Sequence, residues 1–370
     1  MSTCRGCGSS RLERVLDLGT VPAADHFPPA TEPLTDAEGA HGLAMDLCAD
    51  CALAQLADDD TVTDEPRGVE PQALKDQAAE AVRLVAESGW LRGTTVAEFG
   101  SPHGGTWLPL LADRGLIETE SPADIVLDCF GIMHEPDQRA AFLQRAAATA
   151  HDGVLLLQYH SLGSILAHGQ WNALRHGHFA YYTLTALQRL LADAGMSIHT
   201  AWEFDLYGGT VLIAAKKGHA TPDATVTRIL DSERAAGLDT ARTVRGLQEA
   251  VAQQTNSLRR WLASEAEHGK RIYAYGAASR AVALFAMAGV RRDVLAGVAD
   301  ASPGKHGRRM PGTDVPIISP DELVAAEPDQ VLLTIPDLLP EVSAAYPRLA
   351  GSWIIDPAHV WSSNSELEGS

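Results

Sequence analysis

Apolar residues along the chain follow two kinds of pattern, and each pattern predicts one kind of element. Short apolar runs bounded by Gly, Pro or Asp predict strands at residues 16–18, 53–56, 94–99, 124–128, 153–158, 211–215, 271–275, 294–299, 331–335 and 353–355. Apolar residues at helical spacing predict helices at residues 71–90, 106–114, 138–150 and 185–194. Because strands and helices alternate through most of the chain, we expect an α/β protein with mostly parallel, doubly wound sheets.

The same pattern divides the chain into five segments. The first holds only short apolar runs among Pro, Gly, Asp and Cys, and so thin a core needs a metal to fold. A largely charged helical pattern, interrupted at Gly237 and Gly246, separates two α/β regions. We predict a small metal-binding domain at 1–66, a Rossmann-like domain at 67–221, a helical connector at 222–268, a second Rossmann-like domain at 269–361 and a frayed tail at 362–370.

Composition and net charge argue against some classes of binding partner. Of the 370 residues, 45% are hydrophobic, which is typical of a folded globular protein. The formal net charge of −19 argues against nucleic acid, because phosphate backbones attract clustered positive charge. No signal-peptide core and no run of about 18 apolar residues occurs, so we expect a cytoplasmic protein with no membrane partner. In that reducing compartment, cysteines bind metal more often than they form disulfides.

Two Cys-x-x-Cys pairs are the strongest chemical signal. Cys4 and Cys7 form the first pair, and Cys48 and Cys51 form the second. Such pairs place two thiolates each on one tetrahedral ion, and four protein ligands leave no position open for chemistry. The sequence therefore predicts a structural Zn²⁺ site. Two unrelated buried pairs, or a single redox pair, is the alternative; the fifth cysteine, Cys129, is typical of a small buried residue.

A glycine-rich turn follows the strand predicted at 94–99. Glu98, Gly100, Ser101 and Gly104 lie where this strand passes into a helix. Glycine in that position lets backbone N–H groups approach a nucleotide or the carboxylate end of S-adenosylmethionine. A tight turn that needs glycine for its dihedral angles explains the pattern equally well.

A second group of polar residues is centred on two histidines. His176 and His178 flank Gly177 and precede two tyrosines, so either imidazole is a candidate general base near neutral pH. Metal binding by this pair is less favoured, since no third ligand lies nearby. The Tyr207-Gly208-Gly209-Thr210 segment predicts either a turn that lines a pocket or a β-bulge.

The C-terminal region carries a candidate diphosphate site. Lys305, Arg308 and Arg309 place three cations in one loop of an acidic protein. Asp300 lies 24 residues after Gly276, the spacing at which Rossmann folds carry a ribose-binding acid. A solvated basic loop is the alternative.

Together these motifs resemble those of the sugar C-methyltransferases of deoxysugar biosynthesis, over nearly the whole chain. The resemblance implies an N-terminal zinc domain, a central S-adenosylmethionine domain and a C-terminal Rossmann-like domain, and a reaction that removes the C3 proton of a nucleotide-linked 4-keto sugar and methylates that carbon. It implies three sets of site residues. They are His178 with His176 as candidate base, Glu98, Gly100, Ser101 and Gly104 at the cofactor, and Tyr275, Arg280, Asp300, Lys305 and Arg308 at the nucleotide sugar.

The chain departs from the family pattern in three places. Pro102 and His103 replace an Asn-Asp pair, and Arg175 and Gly177 replace the Tyr and Glu that precede the family's base. Arg175 should disfavour protonated His178 and keep it a free base. Only 23 residues separate Gly100 from Asp124, so the central domain is shortened and lacks the strand that carries the ribose-binding acid. Two hypotheses follow: an S-adenosylmethionine-dependent C-methyltransferase, or a donor-independent isomerase, epimerase or sugar-nucleotide binder.

Overall fold

The computed structural model describes residues 2–61, 69–101 and 105–355. Within these ranges the strands are β1 (Leu12–Val21), β2 (His41–Cys48), β3 (Ala54–Leu56), β4 (Thr95–Phe99), β5 (Ile117–Glu118), β6 (Ala123–Cys129), β7 (Thr149–His160), β8 (Ala180–Tyr181), β9 (Met196–Phe204), β10 (Thr210–Lys217), β11 (Ile272–Tyr275), β12 (Val298–Ala299), β13 (Ile317–Ile318), β14 (Gln330–Leu333) and β15 (Trp353–Ile354). The helices are α1 (Gln72–Glu87), α2 (Leu108–Ala112), α3 (Gln138–Ala148), α4 (Leu162–Ala167), α5 (Leu184–Asp193), α6 (Ala224–Ala236), α7 (Ala241–Val244), α8 (Leu247–Glu267), α9 (Ser279–Ala288), α10 (Pro320–Ala325) and α11 (Leu339–Ala345).

The N-terminal sheet takes its fourth strand from a distant part of the chain. Its order is β1-β2-β3-β8, and all three pairings are antiparallel. In the last pairing, Ala54 lies opposite Tyr181 and Gln55 opposite Ala180. The segment that carries His178 therefore runs directly into this sheet. The domain boundary at residue 66 stays a prediction, since residues 1–66 alone do not complete the sheet.

The central sheet is parallel in one half and antiparallel in the other. Its order is β5-β4-β6-β7-β10-β9, in which the first four strands run parallel and β10 pairs antiparallel with both β7 and β9. The predicted parallel, doubly wound arrangement therefore holds for four strands. The sequence pattern missed β9, because its half-buried residues do not form a continuous apolar run.

The β5 edge of this sheet is shortened. β5 has two residues, and it pairs only with the start of β4, with Ile117 opposite Thr95 and Glu118 opposite Val96. In the sheet, β5 ends level with Val96, whereas β4 continues for three more residues to Phe99. The expectation that no second strand fits between Gly100 and Asp124 is thus wrong, but the strand stops well short of the sheet's carboxyl edge. Within the described ranges, no strand lies beyond β5.

The predicted helical connector consists of three helices that pack on three different sheets. Val226 of α6 belongs to the core beside the central sheet, whereas Leu247 of α8 packs with the N-terminal sheet. Trp261, further along α8, packs with the C-terminal sheet. Gly237 ends α6 in a left-handed conformation with φ 63°, which glycine adopts without strain.

The C-terminal sheet is parallel throughout, as a second Rossmann-like domain predicts. Its order is β13-β12-β11-β14-β15, and apolar clusters cover both of its faces. The tail predicted at 362–370 lies outside the described residues. In the part of the chain that the structure describes, no helix is long and apolar enough to cross a membrane.

A buried ion pair fixes the turn after β6. Asp128 is fully buried, accepts hydrogen bonds from the backbone N–H of Gly131 and Ile132, and pairs with Arg145 at 2.9 Å. Burial raises the pKa of Asp128, and the charge of Arg145 opposes that shift.

We expect Asp128→Asn to lower the free energy of unfolding by about 3 kcal/mol, because it removes the buried partner of Arg145 and leaves only the longer, half-exposed pair with Glu135 at 3.4 Å. Urea denaturation measures this change. Asp231→Asn is the control, since the Asp231–Arg234 pair is exposed and should contribute less than about 1 kcal/mol. Equal losses in the two variants would contradict the prediction.

Candidate active site

One cavity of about 310 Å³ lies where the central and C-terminal sheets face each other. Its walls come from the carboxyl ends of β4 and β6, the segment before β8, and the turn between β11 and α9. Most of the predicted site residues line it, namely Glu98, Gly100, Ser101, His178, Tyr275, Arg280, Asp300 and Lys305. His176 and Arg308 do not line it, and Gly104 lies outside the described residues.

The wall beside the central sheet is the turn after β4. Glu98 accepts hydrogen bonds from the backbone N–H of Trp107, at 2.9 Å, and from the hydroxyl of Thr106. Both oxygens of the carboxylate thus hold the first turn of α2. Gly100 and Ser101 remain at the cavity surface, in the position that the sequence predicts for cofactor contacts.

One ring nitrogen of His178 accepts a hydrogen bond from Arg175. The Arg175 Nε–H donates to His178 Nε2 at 2.8 Å, and the His134 ring packs edge-on with centroids 4.3 Å apart. Because a guanidinium stays protonated, His178 Nε2 must be the acceptor, and the imidazole is neutral. The expectation that Arg175 keeps His178 neutral agrees with this geometry. The lone pair of His178 Nε2 is occupied by this hydrogen bond, and the role of His178 as the catalytic base stays a prediction.

His176 faces away from the cavity. Its side chain is 1% exposed, and its Nε2–H donates to the carbonyl oxygen of Gly42 in the N-terminal sheet at 3.1 Å. Burial lowers the pKa of His176. Gly177, with φ 76°, lies between the two histidines, of which His178 lines the cavity and His176 does not. His176 is therefore a structural residue, and the prediction that it serves as a base is corrected.

Two further histidines reach the cavity and were missed from sequence. His134 follows β6, and its Nδ1–H donates to the Gly177 carbonyl at 3.0 Å; burial, aided by the charge of Arg175, lowers its pKa to about 4. His160 ends β7, and burial with the charge of Arg280 lowers its pKa to about 3. Neither belongs to a local motif. Their shared position at the carboxyl ends of parallel strands is the signal that could have found them.

These shifts predict that acid destabilises the protein. A histidine whose folded pKa lies below its unfolded value stabilises the fold above about pH 6.5 and loses that contribution as the pH falls toward the folded value. For His134 we expect a loss on the order of 3 kcal/mol between pH 6.5 and 4. Denaturation at several pH values should show a smaller loss in His134→Asn than in wild type. His151→Asn, at a fully solvated surface position, should match wild type; a His134→Asn profile identical to wild type contradicts the assignment.

The C-terminal wall is held together by residues predicted to bind ligand. Asp300 accepts hydrogen bonds from the backbone N–H of Ala277 and Ser302, at 2.7 and 2.8 Å. Lys305 Nζ donates to the Ala277 carbonyl at 2.9 Å, and its charge lies 4.7 Å from the centre of the Phe27 ring. Both side chains line the cavity, and these bonds also hold the backbone of the turn after β11 in place.

The predicted diphosphate loop does not face the cavity as a whole. The guanidinium of Arg308 donates to the carbonyl oxygens of Phe27 and Gly304, and that of Arg309 pairs with Glu38. These bonds join the C-terminal domain to the N-terminal segment. Arg308 does not line the cavity and uses two of its five N–H donors for these bonds, so the structure does not place it as a substrate ligand.

Arg280, in α9, and Tyr207 also line the cavity. The Arg280 guanidinium lies 5.4 Å from the centre of the Tyr207 ring, and both side chains line the cavity. Tyr207 has φ 57°, a strained conformation for a bulky residue, and its backbone N–H donates to Asp337 at 2.8 Å. Gly209 follows with φ 146°, where any side chain would overlap Ser164. The Tyr-Gly-Gly-Thr segment is thus a strained turn at the cavity.

The four predicted metal ligands converge. The Sγ atoms of Cys4, Cys7, Cys48 and Cys51 all lie within 4.8 Å of one another, with Cys4 and Cys51 3.5 Å apart and Cys7 and Cys48 3.6 Å apart. Tetrahedral Zn²⁺ with Zn–S bonds of about 2.3 Å needs sulfurs about 3.8 Å apart, so the residues fit this ion. The fifth cysteine, Cys129, lies apart at the cavity, and burial raises its pKa.

The four thiols change one another's ionisation. The hydrogen bond from Cys51 lowers the pKa of Cys4 to about 5, whereas burial raises the pKa of Cys7 to about 11. Four neighbouring thiols do not all ionise unless a cation compensates their charge. The arrangement is therefore that of a closed cation site, which packs against α5 through Gly6 and Leu190.

Comparison with known proteins agrees with this geometry. A family model described as "Putative zinc binding domain" matches residues 4–63, and one described as "C-methyltransferase C-terminal domain" matches residues 205–355. The C-methyltransferase NovU of Streptomyces niveus is 27% identical over 216 residues, which is 58% of this chain and 51% of NovU. The chain thus spans about half the length of this curated relative.

Solved structures resemble the chain only distantly. The mitomycin 7-O-methyltransferase MmcR is 17% identical, with 39% of this chain and 55% of that chain covered and a TM-score of 0.30. Magnesium protoporphyrin IX methyltransferase ChlM from Synechocystis PCC 6803, solved with bound SAM, is 13% identical, with 40% and 80% covered and a TM-score of 0.30. At these TM-scores the likeness carries no argument.

The fold and the site define a three-part α/β protein, in which a four-cysteine metal site and two Rossmann-like sheets surround one cavity. Both family models match this architecture in chain order. The chain is therefore similar to C-methyltransferases at its C-terminal part and to a zinc-binding domain at its N-terminal part, and its central sheet is shortened at the β5 edge.

Proposed function

We propose that this protein acts on a nucleotide-linked keto-deoxysugar and removes the proton next to the ketone, with methyl transfer to that carbon as the completed reaction. One observation carries the proposal: the turn after β4, His178 and the turn after β11 line a single cavity. The turn after β4 would then hold the methyl donor, His178 would act as the base, and the turn after β11 would face the nucleotide of the same substrate. We further propose Zn²⁺ as the resident ion of the cysteine cluster.

The chemistry of the cavity residues supports deprotonation. A ketone makes the neighbouring proton acidic by stabilising the enolate, and a neutral imidazole is a suitable base near pH 7. In this proposal, the sugar nucleotide places its phosphates toward Arg280 and the turn after β11, and its sugar toward His178. The two guanidinium groups of Arg175 and Arg280 give this wall a positive charge in an otherwise acidic protein.

The cavity residues fit one half of S-adenosylmethionine. Gly100 and Ser101 offer the turn after β4 to the methionine end. At the ribose end, β5 stops level with Val96, and neither of the acids there, Glu118 and Glu120, lines the cavity. Bound S-adenosylmethionine supplies an electrophilic methyl group. Any affinity of this chain for it would come mainly from its methionine half.

The shortened β5 favours a second candidate function. If the adenosine half finds no site, His178 still forms the enolate, and reprotonation of the same carbon gives an isomerase or epimerase. A chain that binds sugar nucleotides without chemistry is the limiting case. Both alternatives use the same cavity and require no methyl donor.

Isothermal titration with S-adenosylmethionine and S-adenosylhomocysteine separates the two functions. For methyl transfer we expect both to bind, at least tenfold more weakly than with a ribose carboxylate, since each hydrogen bond to a charged group contributes about 1.5–3 kcal/mol. Free methionine should compete and free adenosine should not. Absence of binding to both ligands at millimolar concentration rejects methyl transfer and leaves the isomerase.

Incubation with a thymidine-diphospho-4-keto-6-deoxyhexose in D₂O tests the deprotonation itself. We expect deuterium at C3, detected by mass spectrometry and proton NMR, whether or not a methyl donor is present. A protein that binds the sugar nucleotide without exchange is a binder, and the proposed chemistry is then wrong.

A further inference from the structure

One guanidinium group joins the base to the C-terminal domain. Arg175 donates through Nε to His178 Nε2 at 2.8 Å and through Nη1 to the Ser279 hydroxyl, also at 2.8 Å. Its backbone N–H donates to the Tyr181 hydroxyl at 3.1 Å. Ser279 is the first residue of α9. While these bonds persist, the Nε2 lone pair of His178 points at a cation and accepts no proton from a substrate.

A second guanidinium, that of Arg280, lies at the same wall. Arg280 follows Ser279 directly and lines the cavity over the Tyr207 ring. Burial and the charge of Arg175 lower the pKa of Arg280. Among the described residues, neither Arg175 nor Arg280 has a carboxylate within 4.0 Å. Two half-buried cations side by side favour the entry of an anion.

We propose that a phosphate group of the substrate binds between Arg175 and Arg280 and draws Arg175 away from His178, so that the substrate itself frees the base. This inference rests on the proposed function. A charge-assisted hydrogen bond to phosphate is roughly twice as strong as a bond to a neutral acceptor, and the planar guanidinium binds phosphate bidentately. The phosphate therefore outcompetes the imidazole for Arg175.

Such a switch couples chemistry to recognition. A keto sugar without phosphates meets a base whose lone pair is occupied, whereas a nucleotide-linked sugar opens the base as it binds. Arg175 is then a positioning residue, because it acts through His178. The switch also accounts for Arg175 at a position where the family has Tyr. A tyrosine side chain is neutral and would not be attracted by a phosphate.

Inorganic pyrophosphate tests the switch without any ketone. The full-length protein is labelled with ¹⁵N-histidine and titrated by calorimetry and NMR, with the His178 Nε2 resonance assigned by its loss in His178→Gln. We expect pyrophosphate to move this resonance toward its position in unliganded Arg175→Met. Arg175→Met and Arg280→Met should each weaken pyrophosphate binding at least about tenfold. Arg292→Met, an exposed position in the same domain, should bind as wild type.

Three results overturn the proposal. They are no pyrophosphate binding at millimolar concentration, binding that leaves the His178 Nε2 resonance unchanged, and an Arg280→Met variant that binds as tightly as wild type. Circular dichroism establishes that each variant is folded. The pyrophosphate titration does not depend on deprotonation of a sugar. If pyrophosphate shifts the His178 resonance as expected but the keto sugar takes up no deuterium, the proposed function is wrong and the switch is not.

Discussion

His178→Gln should lower the rate of deuterium incorporation into the keto sugar at least about 100-fold, the usual contribution of a general base. Glutamine retains an acceptor for Arg175 but has no basic nitrogen, so the variant should remain folded and still bind the sugar nucleotide. Mass spectrometry of the recovered sugar measures the rate, and titration calorimetry measures the affinity.

His176→Gln is the matched control for this experiment. The glutamine amide can donate to the Gly42 carbonyl as His176 does, and the residue lies outside the cavity. We expect an exchange rate within about twofold of wild type per folded molecule. Normal exchange in His178→Gln, or loss of exchange in His176→Gln alone, would show that the base is assigned to the wrong residue.

Removal of the metal should have the largest effect on stability. We expect the purified protein to contain one Zn²⁺ per chain, and chelation or Cys51→Ser to lower the free energy of unfolding by at least about 3 kcal/mol, because folding and metal binding are coupled in such sites. The expected fall in melting temperature is about 4 °C, because an unfolding entropy of about 2.1 cal/mol/K per residue amounts to about 0.8 kcal/mol/K for 370 residues. Elemental analysis and thermal denaturation measure both quantities.

The loss of zinc should also reduce deuterium exchange, although the cluster lies outside the cavity. β3 follows the second cysteine pair and holds β8, which begins two residues after His178. Cys129→Ser is the control for metal content, since Cys129 is not part of the cluster. A Cys51→Ser variant that keeps its zinc and its melting temperature would contradict the assigned ligand set.

The sequence predicted best what depends on local spacing. Two Cys-x-x-Cys pairs specify a cluster because each pair bends on itself, and the structure brings all four sulfurs together. The parallel sheets were likewise predictable from alternating strands and helices. β8 was not, because a two-residue strand carries no pattern of its own and forms only against β3.

The candidate site was predictable in outline but not in orientation. His176 and His178 look alike in sequence, but the tertiary structure bonds His176 to the Gly42 carbonyl and places His178 at the cavity. The cations of the Lys305–Arg309 loop were predicted to bind the substrate. In the structure, Arg308 donates to the Phe27 carbonyl and Arg309 pairs with Glu38, both in a distant segment. His134 and His160 belong to no local motif, so only their position at the carboxyl ends of the central strands could have marked them as cavity residues.

The packing of α8 limits how far this chain can behave as a set of modules. One continuous helix contributes Leu247 to the core of the N-terminal sheet and Trp261 to that of the C-terminal sheet. A fragment cut on either side of α8 would leave one of these cores with an open apolar face. The family's three parts are therefore not interchangeable units in this protein, and recombination with a relative would have to carry the helix together with both sheets.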